Sequence, residues 1–155
     1  MIDSDDLVAL DGYTFLRNDR EEKEVGGIGV YVKSNYPVTI IAKSDPVYRN
    51  AAEYLIVEIK INSQNLLFSV VYCRPGAKKK QNEFFNHIAQ LLPSYSHIII
   101  TGNFNLNMAV KNTDYRYLKN KLDSFALFLV PSQPTHHTSR ETVVNGMSTI
   151  HESHT

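Results

Sequence analysis

Apolar and polar positions change period along this chain, and the changes separate strands from helices. "GGIGVYVK" (Gly26 to Lys33) alternates apolar and open positions after a glycine turn. "EYLIVEIKI" (Glu53 to Ile61) alternates again, and "NLLFSVVYC" (Asn65 to Cys73) is a longer apolar run. A period of two marks strands, so three are expected here. The spacer "NSQ" is too short for a parallel crossover and makes the second and third an antiparallel hairpin. "QNEFFNHIAQLL" moves to a helical period, with Phe84, Ile88, Leu91 and Leu92 on one stripe and Pro93 as the stop. "HIII" then returns as a strand, completing a strand, crossover helix, strand unit. "DYRYLKNKLDSFAL" predicts a second helix through Leu118, Leu122 and Phe125, followed by a short "FLV" strand and the loop "PSQPTHHTSR". No repeat, low-complexity tract or linker interrupts the chain, which reads as a single domain over residues 1–155. The class is α/β with a mixed sheet.

A chain of 155 residues is long enough for one core that buries about two-thirds of its unfolded surface. Sixteen basic and sixteen acidic side chains cancel, so net charge does not mark a general binder of nucleic acid or membrane surfaces. Any such site must be local. The single cysteine, Cys73, excludes an internal disulfide framework and a cysteine-rich zinc site; it fits a reducing compartment and equally an inert strand position. No apolar run approaches the roughly 20 residues of a membrane span, and the start "MIDSDDLVAL" is acidic, unlike a targeting peptide. The expectation is a soluble protein with no membrane partner, intracellular and either nuclear or cytoplasmic.

Chemistry in α/β sheets gathers where strands end and loops begin. At "VVYCRPG", Tyr72 and Arg74 leave an apolar strand together, a phenol and a guanidinium able to hold a phosphate, with Lys78, Lys79 and Lys80 just beyond. A tyrosine capping the core beside a solvated lysine turn explains the same residues. At "TGNFNLN", Gly102 allows a tight backbone turn, and Asn103 and Asn105, at alternate positions, point the same way. Taken alone, this is a polar strand exit closed by amide-to-backbone turn bonds. At "PTHHTSRETVVNGMSTI", His136 and His137 are adjacent loop histidines with no acidic partner at metal-ligand spacing.

Together, and in this order, these stretches resemble the endonuclease/exonuclease/phosphatase superfamily, most closely the endonuclease domain of non-LTR retrotransposons, relatives of the apurinic/apyrimidinic endonucleases. The resemblance runs through "LDGYTFLRNDR" and "GGIGVYVK", "EYLIVEI" and "FSVVYCRPG", "FFNHIAQLL", "IIITGNFN" and "PTHHTSR", nearly the whole chain. It implies a partial four-layer α/β sandwich, with two packed mixed sheets and helices outside. It also implies a divalent metal, usually Mg2+, hydrolysis of a phosphodiester, and DNA as the ancestral substrate and partner.

That chemistry needs a deprotonated water aimed at phosphorus, a metal to neutralise developing charge and a stabilised leaving oxygen. The family's strand end reads GDFN, where the Asp activates the water and the following Asn binds phosphate. Here it reads "GNFN": Asn103 stands at the Asp position, Asn105 keeps the phosphate-binding amide and Tyr72 the active-site tyrosine. An amide copies a carboxylate's shape but takes no proton at neutral pH, and general-base help is worth about 10²–10⁴-fold. The second family Asp finds its nearest counterpart in Asn145, although "NG" between apolar runs is also a tight-hairpin signal. The resemblance further places an Asn and a metal-binding Glu on strands preceding the segment matched here, so the domain is expected to be incomplete at both ends. The expected function is a retrotransposon-derived, endonuclease-like domain with weak or no present activity. The alternative is a non-catalytic relic or pseudoenzyme that binds nucleic acid or protein.

Overall fold

A computed structural model of the chain describes residues 8–21, 26–47, 51–74, 81–106, 110–130, 136–137, 142–143 and 147–152. The alternating "EYLIVEIKI" and the run that follows it form β4 (Glu53–Ile61) and β5 (Gln64–Tyr72), paired antiparallel around a turn in which Asn62 takes a left-handed φ of 56°. α1 (Asn82–Leu91) carries the chain over to β6 (His97–Asn103), which lies parallel to β5. β3 (Val38–Lys43) flanks β4, and β7 (Phe128–Leu129) and β10 (Met147–Glu152) extend the far side, giving one mixed sheet in the order β3-β4-β5-β6-β10-β7. β1 (Tyr13–Asp19) and β2 (Gly27–Lys33) form a separate antiparallel pair, and β8 (His136–His137) pairs with β9 (Thr142–Val143).

Side-chain alternation on β4 sets the layers. Tyr54 and Ile56 join Leu67, Val71, Ile98 and Ile100 in a core roofed by Phe84, Phe85 and Ile88 of α1. Leu118 and Leu122 of α2 (Thr113–Ser124) complete that roof. Leu55, Val57 and Ile59 point the other way, onto Val32 of β2, with Leu16, Ile28 and Val30 packed alongside. Period-two geometry therefore gives one strand two buried faces, helices over one and the two-stranded sheet over the other.

Polar ties fix the two sheets against each other. Asn18, buried on β1, donates from Nδ2 to the Ser44 carbonyl at 3.0 Å and to Ser44 Oγ at 2.9 Å, while Ser44 Oγ also accepts the Tyr54 amide at 3.1 Å. At the start of α2 the Asn112 side chain accepts from the amides of Asp114 and Tyr115, each at 3.0 Å, satisfying donors that the first turn leaves open.

The expected sheet, hairpin, crossover and helices are present, as is the two-sheet packing with helices outside. The smaller sheet is an antiparallel pair, and among the described residues both helices cover the larger one. On α1, Phe84, Phe85 and Ile88 are the buried residues, whereas Leu91 and Leu92 are only partly covered. The "NG" turn expected at Asn145 and Gly146 lies outside the described residues. β9 pairs with β8, and β10 pairs with β6 along its six residues and with β7 at Thr149 and Ile150.

Ile56→Ala should lower unfolding free energy by about 2–5 kcal/mol in urea titrations, because it empties a site buried between the sheet and the helices. Phe128→Ser, at a side chain that is 70% exposed, should shift the same curve by no more than about 0.5 kcal/mol.

Candidate functional site

β5 and β6 run parallel and end together, with Tyr72 opposite Asn103, and Glu53 at the start of β4 stands opposite Tyr72. Directly opposed residues share a face, so Glu53, Tyr72 and Asn103 form one row. The row is in phase with Leu55 and Val57 and looks toward the two-stranded sheet. Strands lie about 4.8 Å apart, which spaces the ends of the row by about 10 Å.

Gly102 sits inside β6 at φ 152°, and a Cβ there would be driven into the Val71 carbonyl oxygen of β5. The glycine thus serves a close approach of two strands, rather than the tight turn expected from the sequence. Beyond it the strand ends are laced together. The Cys73 amide donates to the Asn103 carbonyl at 2.7 Å, and the Asn105 amide donates to Asn103 Oδ1 at 2.8 Å. Asn105 Nδ2 donates to the Cys73 carbonyl at 2.7 Å. The expected turn bonds from amide to backbone are therefore formed. Asn105 adopts a left-handed φ of 49°, so strand alternation stops at Asn103 and no longer dictates that the two amides share a direction.

At the other end of the row an ion cluster spans the two sheets. Arg20, one residue past β1, reaches Glu53 through Nε, 3.1 Å from both carboxylate oxygens, and through Nη2, 2.8 Å from Oε1. Arg74, two residues past Tyr72, brings Nη2 to 3.5 Å from the same Oε1. The three side chains are largely shielded, at 17% exposed for Arg20, 13% for Glu53 and 18% for Arg74. Burial, and then the neighbouring Arg20 charge, lower the Arg74 pKa. Between these groups, Cys73 is fully buried, and that burial pushes its thiol up to about 12.

No family model matches the sequence, and no curated protein aligns with it significantly. Solved structures do match. The endonuclease domain of TRAS1, a telomere-specific non-LTR retrotransposon, superposes with a TM-score of 0.69 at 13% identity, over 92% of this chain and 68% of that one. An endonuclease/exonuclease/phosphatase family protein from Bacteroides thetaiotaomicron gives 0.60 at 13% identity, covering 92% of this chain and 60% of its own. TDP2 from D. rerio, complexed with a single-strand DNA product, gives 0.57 at 9% identity over 92% and 63%. This chain has the endonuclease/exonuclease/phosphatase fold. It spans about two-thirds of the length of these structures.

Within that fold Tyr72 and Arg74 at the end of β5 lie beside Asn103 and Asn105 at the end of β6. Asn145 lies outside the described residues, as do Lys78, Lys79 and Lys80. His136 and His137 fall in the short β8, and their ladder joins β9. Sequence reasoning missed Arg20 and Glu53. A signal was present: in "EYLIVEI", Glu53 is in phase with Leu55 and Val57, and a charge on the apolar phase of a strand demands a buried partner. Magnesium takes near-octahedral oxygen ligands, commonly including one or two carboxylates. Among the described residues no three His, Cys, Asp or Glu side chains gather at a metal site, and Glu53 is engaged by two guanidiniums. The described donors do not fit the metal that the resemblance implies.

Gly102→Ala should cost about 3 kcal/mol or more in denaturant unfolding, because strand separation is the way to admit the methyl. Native Cys73 should react with iodoacetamide at pH 8 at least about a hundredfold more slowly than the urea-unfolded chain. The same shift has a defined sign. The folded state favours the neutral thiol, so as pH rises from about 9 toward 12 the unfolded chain loses its proton first, and this contribution to stability is progressively lost.

Proposed function

We propose that this chain is a retrotransposon-type endonuclease domain whose strand-end site binds the phosphodiester backbone of DNA but has lost efficient hydrolysis. One observation carries this reading: Asn103 ends β6 beside Tyr72 and uses Oδ1 to accept the Asn105 amide at 2.8 Å. A carboxylate in the same place could accept the same bond and also draw a proton from water; the amide performs the first task alone. The likeness to the TRAS1 endonuclease domain and to DNA-complexed TDP2 supports nucleic acid as the ligand class. In the ancestral enzyme, a metal at this end of the sheet would have served nicking. In the present chain the site acts by binding.

Purified protein incubated with supercoiled plasmid and magnesium should leave the plasmid intact, with EDTA making no difference. It should nevertheless bind a DNA oligonucleotide with an affinity that falls steeply as salt rises. Magnesium-dependent nicking by the native chain would overturn the proposed loss of its base. Nicking that appears in Asn103→Asp alone would show that one carboxylate silenced an otherwise competent site. Silence in both proteins is the expected result, because the described donor set does not fit the metal either. Binding that ignores salt, or no binding, would replace the DNA reading with a protein contact or an inert relic.

A further inference from the structure

Two strand edges on one flank of the sandwich are open among the described residues. β1 pairs with β2 alone, and β3 is a terminal strand of the six-stranded sheet. They lie on the same side. β2 packs against β4 and β5, whereas β1 lies over β4, and Asn18 near its end bonds Ser44 just past β3. The free edge of β1 therefore looks out beyond β3. Both edges carry apolar side chains in water: Leu10, Tyr13 and Tyr31 are exposed around β1, as are Ile40 and Ile41 on β3. A register shift between Ile40 and Ala42 sets the two isoleucines side by side at that edge. Phe15 stacks on Tyr31 with ring centroids 4.4 Å apart, and the Tyr31 hydroxyl donates to the Val8 carbonyl at 2.6 Å, so the aromatic rim is fixed. A groove of about 460 Å³ follows β1 between Val8 and Arg17. An unpaired strand edge with apolar flanks is a template for a strand of another chain.

We propose that this flank is the interface of a homodimer, in which β1 pairs antiparallel with β1 of a second copy and the Ile40 and Ile41 edges pack beside it. Self-complementarity selects a second copy as the occupant. A two-fold axis at Leu16 overlaps the whole strand Tyr13–Asp19, setting Tyr13 against Asp19 of the second copy, Thr14 against Asn18 and Phe15 against Arg17. No like charges are opposed, and on the exposed face every pair joins an aromatic ring to a charged side chain. Neighbouring registers lack this property. An axis at Phe15 opposes Asp19 to Asp11 of the second copy, and an axis at Arg17 opposes two arginines. The strand contains no proline to interrupt the ladder. Pairing converts two marginal two-stranded sheets into one of four strands and removes both free β1 edges. None of these residues belongs to the strand end of β5 and β6, so the dimer stands independently of the DNA-binding function proposed above.

Sedimentation equilibrium on the full chain should show a monomer and dimer in exchange, with dissociation in the micromolar range. Tyr13→Asp brings like charges together across the axis and should weaken association by about tenfold or more. Ile41→Lys should weaken it as well, whereas Phe128→Ser, on β7 at the opposite edge of the large sheet, should leave it unchanged. An equimolar mixture of Tyr13→Cys and Asp19→Cys chains should form a disulfide between chains under mild oxidation, and either variant alone should not; native Cys73 is fully buried and stays out of the reaction. If Tyr13→Asp loses its circular dichroism signal, Ile41→Lys and the cross-link decide. A chain that stays monomeric throughout the micromolar range overturns the homodimer and leaves the edge to a strand of some other protein. A dimer weakened equally by Phe128→Ser, or one in which the mixed cysteines fail to join, overturns the β1 interface.

Discussion

Strand β4 has no solvent-facing side along its middle, and the fold is organised around that constraint. Tyr54, Leu55, Ile56 and Val57 are consecutive and all fully buried, so partners are needed on both faces of one strand. Helices α1 and α2 cover Tyr54 and Ile56, and the β1–β2 pair covers Leu55 and Val57. Each fully buried side chain of this size contributes about 1.5–3 kcal/mol through removal from water. The dependence is mutual, because an isolated pair of strands is marginal in water and gains its stability by packing on β4. Asn18 and Arg20 lie at the end of β1 and just beyond it, where their bonds to Ser44 and Glu53 align the layers that apolar contact alone would let slide.

The same arrangement accounts for the position of the candidate site. Parallel pairing of β5 and β6 brings two strand ends out together, and Gly102 lets their backbones approach where any side chain would collide with Val71. Asn103 and Asn105 then close the exit by hydrogen bonds that ask for an oxygen acceptor and an amide donor. A carboxylate would satisfy the acceptor role at position 103 equally well. Architecture at this point is therefore indifferent to the exchange of Asp for Asn, while proton transfer is not. A strand end can keep its shape while its chemistry changes.

Sequence identities of 9–13% coexist here with TM-scores of 0.57–0.69. That combination is physically reasonable, because burial requires apolar side chains of suitable volume at alternating positions and tolerates many identities at each. It also marks where inference by likeness stops. A fold carries many functions, and reactivity resides in particular donors, acceptors and charges.

Period and punctuation in the chain determined β2, β4, β5, β6 and both helices, because alternation and helical stripes are local consequences of where apolar side chains must go. They also located the strand end holding Tyr72, Arg74, Asn103 and Asn105. β1 and β3 were not identified as strands, since their polar and exposed residues give weak alternation. Glu53 carried a clue, a charge in phase with an apolar face, but its partners Arg20 and Arg74 lie 33 residues before it and 21 after it. Which cations meet one carboxylate depends on sheet packing across such distances. The sequence by itself determined the elements and the residue types at their ends, whereas the tertiary structure decided which of those residues meet, because register and layer packing are non-local.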